Sequence, residues 1–269
     1  MSFTTADTFG YSWTNAEGEA FAAAMTGTYS DAKLALLDTY ISNLKSGLTN
    51  GTNTWGGHDV LALLFLDNAT DGLRWFNSPA TLMTNNGATH TPGEGYTGNG
   101  SSSYINTGYD PSTDGVQYTQ NSASMGVWVR AVGSSGLGYY AGLAVGSDTT
   151  AIARSTDGNA WVAFGPSGGP NNNETTLSQS ASGLLGINRS GAAAIECYVA
   201  GVLDGTDTDS SSAPANADIY ILARNDSGTP FAHSDGQLSI FRAGRSFTAA
   251  EWADIHAADD ALLTAWAAA

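Results

Sequence analysis

Positive charge is what this sequence has least of. Only Lys33 and Lys45 are lysines, and Lys plus Arg total 9 against 25 Asp plus Glu, for a formal net charge of −16. Affinity for nucleic-acid phosphates comes largely from Lys and Arg, so non-specific binding to DNA or RNA is excluded. Docking on an anionic membrane surface is disfavoured for the same reason. What remains for an acidic surface is solubility, cation binding or a basic partner, and solubility is the plainest of these. Cysteine is nearly absent too. Cys197 stands alone, which rules out an intrachain disulfide. Ile195 and Val199 share its side of a strand, and apolar surroundings make a buried, inert thiol of it. Long hydrophobic runs are missing: the longest, Val60 to Leu66, is far too short to insert into a membrane. Met1 to Asp7 shows no basic stretch followed by an apolar one, so no secretory signal is expected.

Charged residues of both signs make up only 13% of the chain, against roughly 25% in ordinary soluble domains. In their place stand 33 glycines and many Ser, Thr and Asn. Such a composition implies many turns and favours an all-β body. The length of 269 residues fits one large β domain, or a β domain with a smaller partner.

Residues 1–92 read differently from the rest, as a helical segment for docking or packing. Asn15 to Met25 carries a small helical pattern, weakened by Gly18. Ser30 is a good N-cap for the next helix, where Leu34, Leu37, Ile41, Leu44 and Leu48 recur at three- and four-residue spacing, and Gly47 is its stop. Two heptads are too few for a coiled coil, so this is a core-facing helix. His58 to Asp67 is apolar almost all round and is expected to be a buried helix. Trp75 and Phe76 mark a last packed turn. Asn85-Asn86-Gly87 and Pro92-Gly93 are turn signals, and they place the junction.

From residue 93 the chain is a series of short strands. Candidates are Tyr118 to Val132, Tyr139 to Val145, Thr150 to Arg154, Ala160 to Phe164, Leu177 to Ile187, Ala194 to Val199 and Ile219 to Ala223. Asp157-Gly158 between two of them is a hairpin signal. Strands at this spacing suggest a sandwich or barrel. The end is the most legible stretch. Leu238 and Ile240 alternate with polar neighbours in a last strand, Ala243-Gly244 breaks it, and Thr248 with Glu251 forms a capping box. Trp252, Ile255, Leu262, Leu263 and Trp266 then fall on one helical face that must be buried. Arg242 and Arg245 beside it read as internal ion-pair partners.

Three stretches carry a resemblance: Gly95 to Gly108, Tyr118 to Ser122, and Asp235 to Trp252 with its strand, turn and Thr-x-x-Glu cap. Together they resemble concanavalin A-like, laminin-G-like jelly rolls, in particular those of tailed-bacteriophage and prophage structural proteins. The resemblance covers roughly residues 93–266, and the segment around Trp55 and Asp59 is similar to the helical leader of such proteins. It implies a mainly β fold: a jelly-roll β-sandwich over 93–269, closed by a C-terminal helix and preceded by the helical segment. It also implies a non-enzymatic virion structural protein at the particle surface, as decoration, spike or fibre. Its partners would be other virion proteins and copies of itself in a homo-oligomer, with a surface polysaccharide as a further ligand. The alternatives are a free carbohydrate-binding module and, third, a glycan-cleaving enzyme.

Little else in the chain supports catalysis. Glycoside hydrolysis needs two carboxylates flanking the bond. The Glu-x-Asp-x-(x)-Glu run that jelly-roll glycosidases usually carry is missing, and Glu196 stands alone on its strand. Ser155 to Trp161 approaches the Asp box of sialidase-type propellers, but is one residue short and occurs once, so a hairpin packed by Trp161 explains it better. His58, His90, His233 and His256 are scattered, without partners at zinc-ligand spacing. No cofactor is expected. Calcium is the one candidate, at the loop carrying Asp204, Asp207 and Asp209, because laminin-G-like domains sometimes hold calcium at a loop edge. Tyr109, Tyr139, Tyr140 and Trp161 lie beside loops and are the candidate platforms for a sugar.

Overall fold

The fold is described from a computed structural model over residues 11–134, 136–146, 148–154, 161–167, 175–177 and 182–269, with only the backbone of 161–167 and 175–177. Its main elements in chain order are α1 (Ala16–Ala24), α2 (Asp31–Ser46), β1 (His58–Ala62), β2 (Ala123–Ala131), β3 (Gly138–Val145), β4 (Asp148–Arg154), β5 (Trp161–Ser167), β6 (Gly183–Gly191), β7 (Ala194–Val199), β8 (Val202–Asp207), β9 (Gln237–Gly244) and α3 (Ala249–Ala268). Two sheets form a jelly-roll sandwich. The first runs β8-β7-β6-β2-β9-β1, then Arg74–Trp75 and Ser78–Leu82. The second runs Thr175–Leu177, β5, β4, β3, then Tyr220–Ile221, Tyr104–Asn106 and Thr84–Asn86. The fold is mainly β, with N-terminal helices and a C-terminal helix.

Among the described residues there are two large cores, because the first sheet is covered on both faces. Between the sheets lie Val60, Met125, Val127, Tyr140, Leu143, Ile152, Ile187, Cys197 and Phe241. On the far side of the first sheet the three helices bury Leu34, Leu37, Ile41, Leu61, Phe65, Trp128, Ile240, Trp252 and Trp266. Strand β9 is buried at every position because it runs mid-sheet between these two cores.

That arrangement corrects the expectation for residues 58–67, and with it the expectation that 1–92 is helical. His58–Ala62 is a strand paired antiparallel with β9, and short strands continue to Thr91. Val60, Ala62 and Leu64 enter the sandwich core, while Leu61, Leu63 and Phe65 enter the helix layer. A strand packed on both faces reads as a continuous apolar run, which periodicity alone does not distinguish from a buried helix. Segment 1–92 therefore shares both cores with the rest of the chain.

The helices are set by local chemistry. In α2 the Ser30 hydroxyl accepts from the Lys33 amide (3.3 Å), and Gly47 ends the helix at φ +67. A side chain on Gly47 would lie 2.3 Å from the Thr52 amide nitrogen, so glycine is required there. Leu48, beyond that stop, is exposed. In α3 the Thr248 hydroxyl accepts from the Glu251 amide (3.3 Å), and the Glu251 carboxylate accepts from the Thr248 amide (2.8 Å) and from Arg245 (2.6 Å). Trp252, Ile255, Leu262, Leu263 and Trp266 are all buried. Trp252 lies over Gly126 and Gly186, which pair across β2 and β6. It stacks on Tyr198 (5.3 Å between centroids) and meets Phe247 edge-on (5.8 Å). Beneath the helix Arg242 pairs with Asp259, whose other oxygen accepts from Tyr40 (2.7 Å).

Part of the chain's acidity is architectural. Asp38 accepts from the amides of Thr14 and Asn15, Asp71 from those of Thr26 and Gly27, and Asp254 from those of Thr49, Asn50 and Thr52. Asp59 holds the amides of Val116, Gln117 and Tyr118 and the Tyr109 hydroxyl. Each of these carboxylates pins a loop by charge-assisted hydrogen bonds.

Candidate functional site

Strand alternation builds the site on the outer face of the second sheet. In the pairing of Tyr220–Ile221 with Tyr104–Asn106, Ile221 opposes Ile105 and both belong to the sandwich core. Tyr104, Asn106 and Tyr220 consequently lie on the outer face, where Tyr104 is half-buried and Tyr220, packed on it, is buried to 7% exposure. The Tyr104 and Tyr220 rings stack at 4.7 Å. Beside them opens a cavity of about 450 Å³, lined by Asp110, Val145, Asn216, Ala217, Asp218, Tyr220, Asn225, Ser227 and Gly228.

Its polar wall is held in place by its own hydrogen bonds. The Asn106 amide group donates to Asp218 Oδ2 (2.9 Å). Asn225 donates to the Asp218 carbonyl (2.7 Å) and accepts from the Gly228 amide (2.7 Å). Ser227 and Gly228 both take positive φ, +50 and +95, in the tight turn that joins Arg224–Asp226 to Thr229–Phe231. That is the conformation a two-residue hairpin of matching twist demands. Asp110 Oδ1 accepts from the Ser112 amide (2.8 Å). Burial, then the neighbouring Tyr104 and Asp218, raises the Tyr220 phenol above its ordinary pKa. It therefore stays protonated and is a hydrogen-bond donor at neutral pH.

An aromatic strip continues from the cavity along the same face. The His233 ring lies 6.3 Å from Tyr104, and its Nδ1 is 3.0 Å from the Ser103 carbonyl oxygen. Arg224 sits between Tyr139 and Phe231, 4.9 Å from each ring, and pairs with Asp226 (3.1 Å). Phe231 is 47% exposed, which is unusual for so large an apolar ring.

The residues expected to bind a sugar are placed elsewhere. Tyr109 and Tyr140 are wholly buried between the sheets, with neither ring open to a ligand. Tyr109 donates to Asp59 (2.8 Å), and Tyr140 accepts from the Gly133 amide (3.4 Å). Tyr139 is on the outer face, but it is buried beneath Arg224. Trp161 opens β5, and its side chain lies outside the described residues, as do Ser155 to Ala160. Asp204, Asp207 and Asp209 do not converge. Asp204 and Asp207 lie along the extended strand β8, about 10 Å apart at its rise per residue. Among the described residues no group of three or more His, Cys, Asp or Glu is placed to hold a metal ion. Tyr104, Tyr220, Asp218 and Asn225 were not anticipated as site residues. The available signal was the alternation in Tyr104-Ile105-Asn106 and in Asp218-Ile219-Tyr220-Ile221.

No family model and no curated protein matches this sequence. Solved structures do match the fold. A mutant of Trypanosoma rangeli sialidase displaying trans-sialidase activity is similar over 86% of this chain and 39% of its own, at 12% identity and a TM-score of 0.57. Trypanosoma rangeli sialidase in complex with sialic acid matches over the same shares at 14% identity and a TM-score of 0.53. The receptor-binding domain of a botulinum neurotoxin of C/D mosaic serotype matches over 76% of this chain and 51% of its own, at 10% identity and a TM-score of 0.51. The chain thus spans about two fifths of the sialidases it resembles. At these identities the likeness establishes the fold alone. These structures are sialidases and a toxin domain rather than phage particles, which overturns the expectation of a virion structural protein.

Proposed function

We propose that this chain is a glycan-recognition unit, and that it binds sugar at the cavity beside Tyr220. The observation that carries this is the composition of the cavity: a braced aromatic ring with carboxylate and carboxamide groups on a preformed wall. The small exposed part of the Tyr220 ring offers an apolar contact to a sugar, while the Asp and Asn side chains of the wall match its hydroxyls. The volume falls in the range of small-ligand sites, about 300–1,000 Å³. The fold is shared with a sialidase solved in complex with a sugar, which supports sugar recognition as a class without naming the sugar. The test is binding to a glycan panel. Tyr220→Ala is expected to weaken the best glycan at least about tenfold, equivalent to about 1.4 kcal/mol. A folded wild-type protein that binds no glycan on the panel would refute the proposal.

A second reading, glycan cleavage, is favoured by one observation: Asp110 and Asp218 line the same cavity, and hydrolysis uses two carboxylates. Release of reducing ends by the wild type, abolished in both Asp110→Asn and Asp218→Asn, would establish it.

A further inference from the structure

The charge on the cavity wall narrows the ligand. Its polar lining is Asp110, Asn216, Asp218, Tyr220, Asn225 and Ser227, with two carboxylates and no Lys, Arg or His. Arg224, on the same face, is already held between Tyr139 and Phe231 and paired with Asp226. The surrounding chain carries a formal charge of −16. Building on the glycan-recognition proposal, we infer that the cavity takes an uncharged, polyhydroxylated sugar and rejects sugars bearing a carboxylate.

The acceptor count supports this. Asp218 Oδ2 receives Asn106, but Oδ1 has no donor among the described residues. Asp110 Oδ1 receives the Ser112 amide, but Oδ2 has no donor among the described residues. Each wall carboxylate therefore presents at least one oxygen to the cavity, and a ligand that displaces water there has to supply a donor. A neutral sugar supplies donors through every hydroxyl, and a hydroxyl bound to a carboxylate makes a charge-assisted bond. A sialic or uronic acid brings a carboxylate that only accepts, and its charge has the same sign as the wall. Asn225 gives one amide N–H to the Asp218 carbonyl and its oxygen accepts from Gly228, so what it and Asn216 still offer a ligand are neutral donors, with no cation to balance a ligand carboxylate. Tyr220, with its proton retained, adds a donor that suits a hydroxyl oxygen.

Calorimetric titration of the full chain decides the matter. The probes are neutral gluco-, galacto- and manno-configured oligosaccharides, the same oligosaccharides bearing a terminal sialic or uronic acid, and calcium chloride alone. A neutral member should bind at least about tenfold more tightly than its acidic counterpart. Asp218→Asn should weaken the neutral ligand and narrow that gap. Asp218 also receives Asn106, so its variant is checked for an unchanged melting temperature. Asn216→Ala is the second variant, since Asn216 is exposed and makes no hydrogen bond to the described protein. It should weaken the neutral ligand without disturbing the fold. Equal or tighter binding of the acidic counterpart, lost in Asn216→Ala, would overturn the selectivity while leaving glycan recognition standing. Binding of calcium alone, lost in Asp218→Asn, would make the wall a cation site and overturn the inference. No heat with any sugar would instead remove the glycan reading on which it rests.

Discussion

Replacing Trp252 by alanine tests how the sandwich is sealed. The indole is completely buried, stacked on Tyr198, edge-on to Phe247 and laid over the paired glycines of β2 and β6. Buried Trp-to-Ala changes cost about 3–5 kcal/mol, because a cavity remains that rigid neighbours fill poorly. For a chain of this size each kcal/mol shifts the melting temperature by about 2–4 °C, so a loss of about 6–20 °C is expected. The glycines supply an internal control. A Cβ on Gly186 would lie 2.5 Å from the Trp252 ring, so Gly186→Ala alone overpacks and should cost about 1–3 kcal/mol. In the Trp252→Ala background the same methyl enters the space the indole vacated, so its cost should largely vanish. The double-mutant cycle, read by urea or thermal denaturation, should therefore be clearly non-additive. An unchanged melting temperature in Trp252→Ala, or strict additivity with Gly186→Ala, would refute the claim that this indole on this glycine floor closes the fold.

Two further predictions follow from buried charges. Burial raises the carboxyl pKa of Asp254, but the bonds from Thr52, Asn50 and Thr49 outweigh it and hold the group below the ordinary carboxylate value; Asp38 is likewise held low against burial by Thr14 and Asn15. Because both folded pKa values are depressed, their stabilisation is complete above the unfolded value of about 3.9 and is lost as pH falls through the lower folded values. Melting temperature should be flat near neutrality and fall below about pH 4, and Asp254→Asn should lower the plateau and flatten that acid limb; an acid limb identical to wild type would exclude Asp254 as a contributor. Arg242 and Asp259 form a fully buried pair, and although burial opposes the Arg242 charge, Asp259 and Tyr40 raise its pKa. Arg242→Met alone should cost about 3–5 kcal/mol in urea denaturation by stranding Asp259, and Arg242→Met with Asp259→Leu should recover most of it; a single substitution costing under about 1 kcal/mol would contradict this.

How much could be seen beforehand differs between fold and site. Helix α2 was legible because Ser30, the leucine spacing and Gly47 act within one element. The cap at Thr248 and the apolar face of α3 were legible for the same reason. The nature of His58–Ala62 was not, since its alternation emerges only when two different cores are laid on its two faces. The site was less visible still. Tyr109, Tyr140 and Tyr104 all lie near turns in the sequence, and nothing local says which of them the opposing sheet covers.

The sequence by itself determined the β-rich body, the capped closing helix, the amphipathic helix before it, the solitary thiol and the shortage of cations. All of these rest on composition or on periodicity within a few residues. Tertiary structure alone decided that the first sheet is packed on both faces, that Asp59, Asp71 and Asp254 pin distant loops, and that Asp110, Val145, Asp218 and Gly228 meet around one cavity. The physical reason is that a strand fixes only the alternation of its side chains, whereas which side becomes interior is set by long-range partners.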